Sequence, residues 1–158
     1  MCIRDSGYSV RSTEINAVIG RSQLKRLDAN NGRRRGNFET FLELLDPDKY
    51  FTKFDVAGSC NFGLVLILKR PDDVLWEGVL RTLRGLGIEF RRGTTGGGNQ
   101  LRQPYLQVWV GERELPSYPK VDHVHFYGLY IGNYPDLNVA NIQHLCERLN
   151  ALPWNQET

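Results

Sequence analysis

Apolar residues in the first part of the chain fall at Ile15, Val18, Ile19, Leu24 and Leu27, roughly the spacing that keeps side chains on one face of a helix. Ser12 or Thr13 stands where a side chain can cap the first backbone donors. Glu14 puts negative charge in the first turn, where the helix dipole favours it. The pattern predicts a helix from Thr13 to Asp28. Asn30-Asn31-Gly32 is poor helical sequence and is expected to kink or break it. A second helical run then places Phe38, Phe41, Leu42 and Leu45 on one face. Asp46-Pro47-Asp48 ends it, because the residue before a proline avoids the helical region.

Further along, Tyr50 to Gly58 reads as turn-like or as a short edge strand. Cys60 to Leu68 is a near-continuous apolar run of strand length, suited to burial on both sides. Pro71-Asp72-Asp73 opens another helix, whose apolar face is Leu75, Val79, Leu80 and Leu83 and which Gly85 and Gly87 close. Ile88 to Arg92 reads as a second strand, and Gly93 to Asn99 as a flexible loop. Tyr105 to Val110 fits an extended segment or a short helix equally. Pro116 and Pro119 bracket a loop. Val124 to Ile131 alternates as a strand, with His123, His125 and Tyr127 on one face and Val124, Phe126 and Tyr130 on the other. Asn138 caps a last helix carrying Val139, Ile142, Leu145, Cys146 and Leu149. Strands and helices are mixed rather than strictly alternating. That order predicts an α+β fold: a small, largely antiparallel sheet backed by helices and preceded by long linking helices.

Composition adds bounds. With 158 residues, 41% of them hydrophobic, the chain holds one domain's worth of core. Twenty basic and 18 acidic residues leave a net charge of +2, so nothing draws the whole molecule to nucleic acid. The run Arg33-Arg34-Arg35 reads as a solvated helix face. Cys2, Cys60 and Cys146 are odd in number and far apart, with neither zinc spacing nor a disulfide framework, which suits a reducing cytoplasm. The longest apolar run, Phe62 to Leu68, is too short to cross a bilayer, and no secretory signal is visible. Residues 1–6 (MCIRDS) resemble a translated adapter sequence and are set aside as a non-native leader, with the expectation that the chain begins inside a longer gene.

The chemically suggestive stretches are few. Gly93 to Arg102, GTTGGGNQLR, contains a triple glycine, which is costly to order and is useful where backbone must approach a ligand closely. It has neither the phosphate-loop lysine spacing nor the dinucleotide fingerprint. Read alone, a surface loop is the plainer interpretation. His123 and His125 could ligate a metal from one strand face, but the one further ligand near them in sequence, Asp122, should face the other way, and a core strand explains them better. No serine or cysteine nucleophile arrangement can be placed.

GYSVRSTEINAVIGRSQLKRLD, residues 7–28, resembles the segment that follows the cofactor region in the DegT/DnrJ/StrS family of vitamin-B6-dependent enzymes acting on nucleotide-linked keto-sugars. The family form reads Gly-Tyr-Asn, an arginine two residues on, and then the helix start. Ser9 replaces the usual asparagine, which in the family reaches the cofactor phosphate across a dimer. A serine hydroxyl is shorter but can also donate. GIEFRRGTTGGGNQLRQPYL resembles the loop of the keto-sugar 3-dehydrase-like branch, and HVHFYGLYIGNYPDL resembles that branch's strand, turn and final helix cap.

The resemblance implies the C-terminal small domain of an enzyme of the fold-type-I aminotransferase kind. It divides the chain into linking helices over residues 7–46, the small α/β domain over residues 47–152 and a loose tail over residues 153–158. It implies pyridoxal or pyridoxamine phosphate as cofactor and a nucleotide-linked 4-keto-hexose as substrate, which is aminated or loses its C3 hydroxyl. It further implies glutamate as a possible amino donor, a homodimer formed through the first helix, and a cytoplasmic location. Ser9 and Arg11 would serve the cofactor. Arg91, Asn99, Arg102 and His125 would serve the substrate, without it being settled whether Arg91 or its neighbour Arg92 points inward. No catalytic residue is assigned: the family's lysine, or histidine in some dehydratases, precedes the matching segment, so this chain alone is expected to be inactive. The rival reading is a non-catalytic module that binds a sugar nucleotide or takes part in assembly.

Overall fold

The computed structural model describes residues 13–95, 98–106 and 117–155. Helix α1, Glu14–Leu24, begins at the expected cap, where the Thr13 hydroxyl accepts from the Asn16 backbone N–H at 3.3 Å. None of its residues is buried. Helix α2 spans Leu27–Leu44. The interruption therefore falls at Lys25-Arg26, where the Arg26 N–H turns back to the Gln23 carbonyl at 3.0 Å. Asn30-Asn31-Gly32 lies inside a continuous helix, against the predicted kink. Tertiary anchoring supplies the reason. Phe38 and Phe41 are buried, and Arg34 and Asn37 are hydrogen-bonded to residues 133 and 134. Against that, one interior glycine costs only about 1 kcal/mol.

Three strands form one antiparallel sheet in the order β1 (Gly63–Ile67), β3 (Gly128–Gly132), β2 (Phe90–Arg92). A single bridge between Tyr50 and Leu68 extends its edge, so the Tyr50–Gly58 segment is mostly irregular. Helix α3, Asp73–Gly85, is capped by the Asp72 carboxylate, which accepts from Leu75 N–H at 2.9 Å. Helix α5, Val139–Asn150, is capped by Asn138. Helix α4 covers Pro119–Tyr127.

That helix corrects the predicted strand Val124–Ile131, of which only the part from Gly128 is extended. Pro119 in the first turn has the fixed φ that starts a helix, and Asp122 follows as the first-turn acid. Short-range alternation at residues 123–127 did not outweigh those start signals. The strand predicted to be buried on both sides is also corrected. Leu64, Leu66 and Leu68 point into the core, whereas Val65 and Ile67 are half-buried and Phe62 is exposed.

One core results. Leu64 and Leu66 of β1 and Leu129 and Ile131 of β3 pack with the apolar faces of α3 and α5 and with Phe38, Phe41 and Tyr50. Tyr50 is fully buried, and its hydroxyl donates to the Leu149 carbonyl at 2.9 Å. Lys49 is nearly buried beside it. Its Nζ caps the end of α5 by donating to the Asn150 and Leu152 carbonyls. Cys146 lies in this core, where burial pushes its thiol up to about 12, so it is unreactive.

The triple-arginine run is not a uniformly solvated face. Arg33 pairs with Asp136 at 2.9 Å. Arg34 is half-buried, with Nε donating to the Asn133 carbonyl at 3.2 Å. Asn133 is itself buried and knots three segments together. Its Nδ2 donates to the Arg34 and Asn61 carbonyls, each at 2.8 Å, and its Oδ1 accepts from Asn37 at 3.1 Å.

Candidate functional site

Facing residues of an antiparallel pair share a side of the sheet, which settles the question about Arg91 and Arg92. Arg92 stands opposite Leu129, on the helix-covered side, with its guanidinium 5.8 Å from the centre of the Trp76 ring. Arg91 stands opposite Tyr130 on the other side and is exposed. Arg91, Thr95, Phe90 and Tyr130 line a shallow depression there.

Beyond β2 the chain enters the glycine loop, which two short 3-10 turns bracket at Gly93–Thr95 and Gln100–Arg102. Gly93 has φ +53°, a left-handed conformation glycine tolerates at little cost. Its carbonyl accepts from Gly98 N–H at 2.9 Å. A Cβ on Gly98 would collide with His125 Nδ1, so glycine is required there by close approach.

Helix α4 supplies the other half of the cluster. The Asp122 carboxylate accepts from Arg102 Nε at 2.6 Å, from Arg102 Nη2 at 3.0 Å and from Asn99 Nδ2 at 2.8 Å. These bonds, the Arg102 pair foremost, hold its carboxyl down at about 2, so it is ionised at any ordinary pH. Arg102 also lies over the Phe126 ring, 4.8 Å from its centre. His125 Nδ1 accepts from the Asn99 backbone N–H at 3.1 Å. A backbone N–H can only donate, so Nδ1 is bare and Nε2 carries the proton. Partial burial, with the cations Arg102 and Arg92 nearby and, among the described residues, Asp122 alone opposing them, lowers the imidazole below its ordinary pKa and keeps it neutral at pH 7.

Of the residues expected at a site, Asn99, Arg102 and His125 are brought together, and Arg91 lies at the start of the same loop on the far side of the sheet. Ser9 and Arg11 lie outside the described residues, as do Cys2 and the Gln107 to Val110 part of the undecided segment. Asn99 is buried and committed within the chain: Nδ2 to Asp122, and Oδ1 accepting from Leu101 N–H at 3.0 Å. Two of Arg102's donors are likewise engaged by Asp122. Asp122 was expected to face away from the histidines, as it would on a strand, but on the helix that Pro119 starts it stands beside Asn99 and Arg102.

His123 and His125 do not share a face, because two residues on a helix span about 200°. His123 Nε2 meets the Leu68 carbonyl at 2.7 Å, on the opposite side from the loop. Among the described residues no group of three or more His, Cys, Asp or Glu side chains could hold a metal.

All five lysines are described, and none suits a covalent link to a carbonyl cofactor. Lys49 is the buried one, and its Nζ is taken up by α5 carbonyls. Lys69 is paired with Asp48 at 3.4 Å. Lys25, Lys53 and Lys120 are exposed.

An antiparallel three-stranded sheet covered by helices on one side, with a glycine loop pinned to a short helix, defines an α+β module. The model of the DegT/DnrJ/EryC1/StrS aminotransferase family matches residues 2–150, and the chain belongs to that family. It is similar to the GDP-4-keto-6-deoxy-D-mannose 3-dehydratase of Escherichia coli O55:H7 (strain CB9615 / EPEC), with 29% identity over 144 residues, 90% of this chain and 37% of that one. The enzyme of the same name from Yersinia pseudotuberculosis is 30% identical over 129 residues, 81% of this chain and 32% of the relative. Among solved structures, GDP-4-keto-6-deoxymannose-3-dehydratase with a trapped PLP-glutamate geminal diamine superposes with a TM-score of 0.76 at 28% identity, covering 90% of this chain and 37% of that one. The E. coli enzyme with bound hydrated PLP gives 0.75 at 28% identity, covering 91% and 37%. The chain spans about a third of the length of the curated relatives it matches. Among the described residues, no helix is long and apolar enough to cross a membrane.

Proposed function

We propose that this chain forms the C-terminal part of a pyridoxal-phosphate-dependent enzyme that removes the C3 hydroxyl of a GDP-linked 4-keto-6-deoxyhexose. The observation that carries this reading is the similarity to two 3-dehydratases of that specificity over at least four-fifths of the chain. The bound groups in the solved relatives, PLP and, in a variant, GDP-perosamine, support the cofactor and nucleotide class. Amination at C4 by the same family is the second outcome, and the family's own description favours keeping it.

The described residues do not by themselves make a cofactor site, since no lysine is both sheltered and uncommitted. The cofactor, when bound in the whole enzyme, supplies an electron sink. The share of this chain is to close one wall. Ser9 and Arg11 would reach the cofactor phosphate. Arg91 and the His125 Nε2–H would offer donors to the substrate, and Asn99 and Arg102 would shape the loop that presents them. Glutamate is the possible amino donor. The exposed apolar residues Ile15, Val18, Ile19 and Leu24 of α1 suit the interface of a homodimer. A cytoplasmic location fits the reading, because nucleotide sugars are made there.

The chain's share is tested by adding pyridoxal phosphate to the purified 158-residue protein, reducing with borohydride and mapping labelled peptides. The expected result is scattered, substoichiometric label. Stoichiometric label on one lysine would contradict the assignment and favour a self-contained cofactor site.

A further inference from the structure

We propose that the glycine loop is latched to α4 at two points, a permanent one at Asp122 and a proton-operated one at His125, so that acid frees the Gly98-Asn99 backbone from His125 while the Asn99 and Arg102 side chains stay attached to Asp122. The proposal rests on the hydrogen-bond geometry of the loop and not on the identity of any substrate.

The permanent point is the Asp122 carboxylate, which receives two Arg102 donors and the Asn99 amide. The second point needs an acceptor at His125 Nδ1 for the Asn99 backbone N–H. Only the neutral ring has one. On protonation Nδ1 becomes a donor facing a donor, and the bond is lost. Gly98 packs against the same nitrogen, with no side chain to hold it once the bond has gone.

The surroundings oppose the charged ring. Arg102 faces it from the 3-10 turn and Arg92 from β2. Among the described residues Asp122, on its own helix, is the one anion acting on the ring, and it is already paired with Arg102. The loop itself brings backbone and Gly93, and Phe126 is the neighbouring ring. A proton on His125 therefore gains little from the folded arrangement and costs it a hydrogen bond. The two points differ in kind, because an ionised Asp122 keeps its partners down to strongly acid pH.

The test is nitrogen-15 NMR of the 158-residue chain between pH 8 and pH 4.5, following the imidazole nitrogens of His125 and the amide of Asn99. The expected result at pH 7.5 is an Nε2–H tautomer with a hydrogen-bonded Asn99 amide. On acidification the Asn99 protection factor should fall at least about tenfold with the midpoint of His125, while the Arg102 Nε signal keeps its bonded shift. In His125→Gln the pH step at Asn99 should vanish while the Arg102 signal is retained. If that variant does not fold, the wild-type titration decides alone. An Nδ1–H tautomer at pH 7.5, an Asn99 amide indifferent to the His125 titration, or a step that follows His123 would each overturn the proposal.

Discussion

Asn99 and Asp122 stand 23 residues apart in the chain and are joined by a 2.8 Å hydrogen bond between their side chains. Through that bond the Gly98-Asn99 end of a glycine-rich loop is fixed to α4. Asn99 is buried, and its side-chain oxygen also accepts from Leu101 N–H. Asn99→Ala should therefore cost about 1–3 kcal/mol, the usual loss when buried polar partners are left unmatched. Urea denaturation checks this, and Gln100→Ala, at an exposed neighbouring position, should change stability by less than about 0.5 kcal/mol.

The knot at Asn133 makes a second, independent prediction. Removing its side chain by Asn133→Ala takes one acceptor from the buried Asn37 amide, which keeps the Tyr134 carbonyl, and a donor from each of the part-buried Asn61 and Arg34 carbonyls. The loss should be about 1–3 kcal/mol. It should appear in hydrogen exchange as earlier opening of α2. Arg34→Ala should destabilise more than Arg35→Ala, since Arg35 is exposed on the same helix and Arg34 is half-buried on the Asn133 carbonyl.

Core packing predicts a contrast along α3. Leu83 is fully buried, and Leu83→Ala should cost about 2–5 kcal/mol. Val74, on the same helix, is 53% exposed, and Val74→Ala should cost less than about 0.5 kcal/mol. Equal losses at the two sites would mean that α3 does not present the face described.

Stability should fall in acid, and the sign follows from three groups held low, His125, Asp122 and Asp72, the last through backbone N–H groups that bond its carboxylate. His125 is held below its ordinary value in the folded chain, so the unfolded chain binds the proton first. Its contribution is present above about 6.5 and is lost as pH falls through the lower folded value. Asp122 is also held down, to about 2, so its contribution is present above the ordinary carboxylate range and is lost only as pH falls towards 2. Thermal unfolding followed from pH 8 to pH 3 should show a first decline beginning near 6.5. His125→Gln should remove that first decline and leave the later one.

Much of this architecture was legible in the sequence. Three helix starts were read, from Ser12 or Thr13, from Pro71-Asp72-Asp73 and from Asn138, and the side chains of Thr13, Asp72 and Asn138 each accept a backbone N–H there. The core faces of α3 and α5 follow from their periodicity. What was not legible depended on partners distant in sequence. Nothing local says that Asn30-Asn31-Gly32 stays helical, because the anchor is Asn133, a hundred residues away. The α4 helix was hidden because His123 to Tyr127 alternates over too few residues to separate a strand from a helix. The site was half legible. Asn99, Arg102 and His125 were chosen from a family likeness, but their shared dependence on Asp122 is a product of tertiary packing.

The most direct test of the central claim is the mass of the nucleotide-sugar product. The complete protein that carries this chain would be incubated with GDP-4-keto-6-deoxymannose, pyridoxal phosphate and glutamate. The account predicts a GDP-linked keto-sugar lacking one oxygen at C3, with Arg91→Ala turning over about tenfold or more slowly and Arg35→Ala unchanged. A product bearing an amino group at C4 would keep the family chemistry and correct the reaction. Recovery of unchanged substrate from a folded, cofactor-loaded protein would contradict the claim.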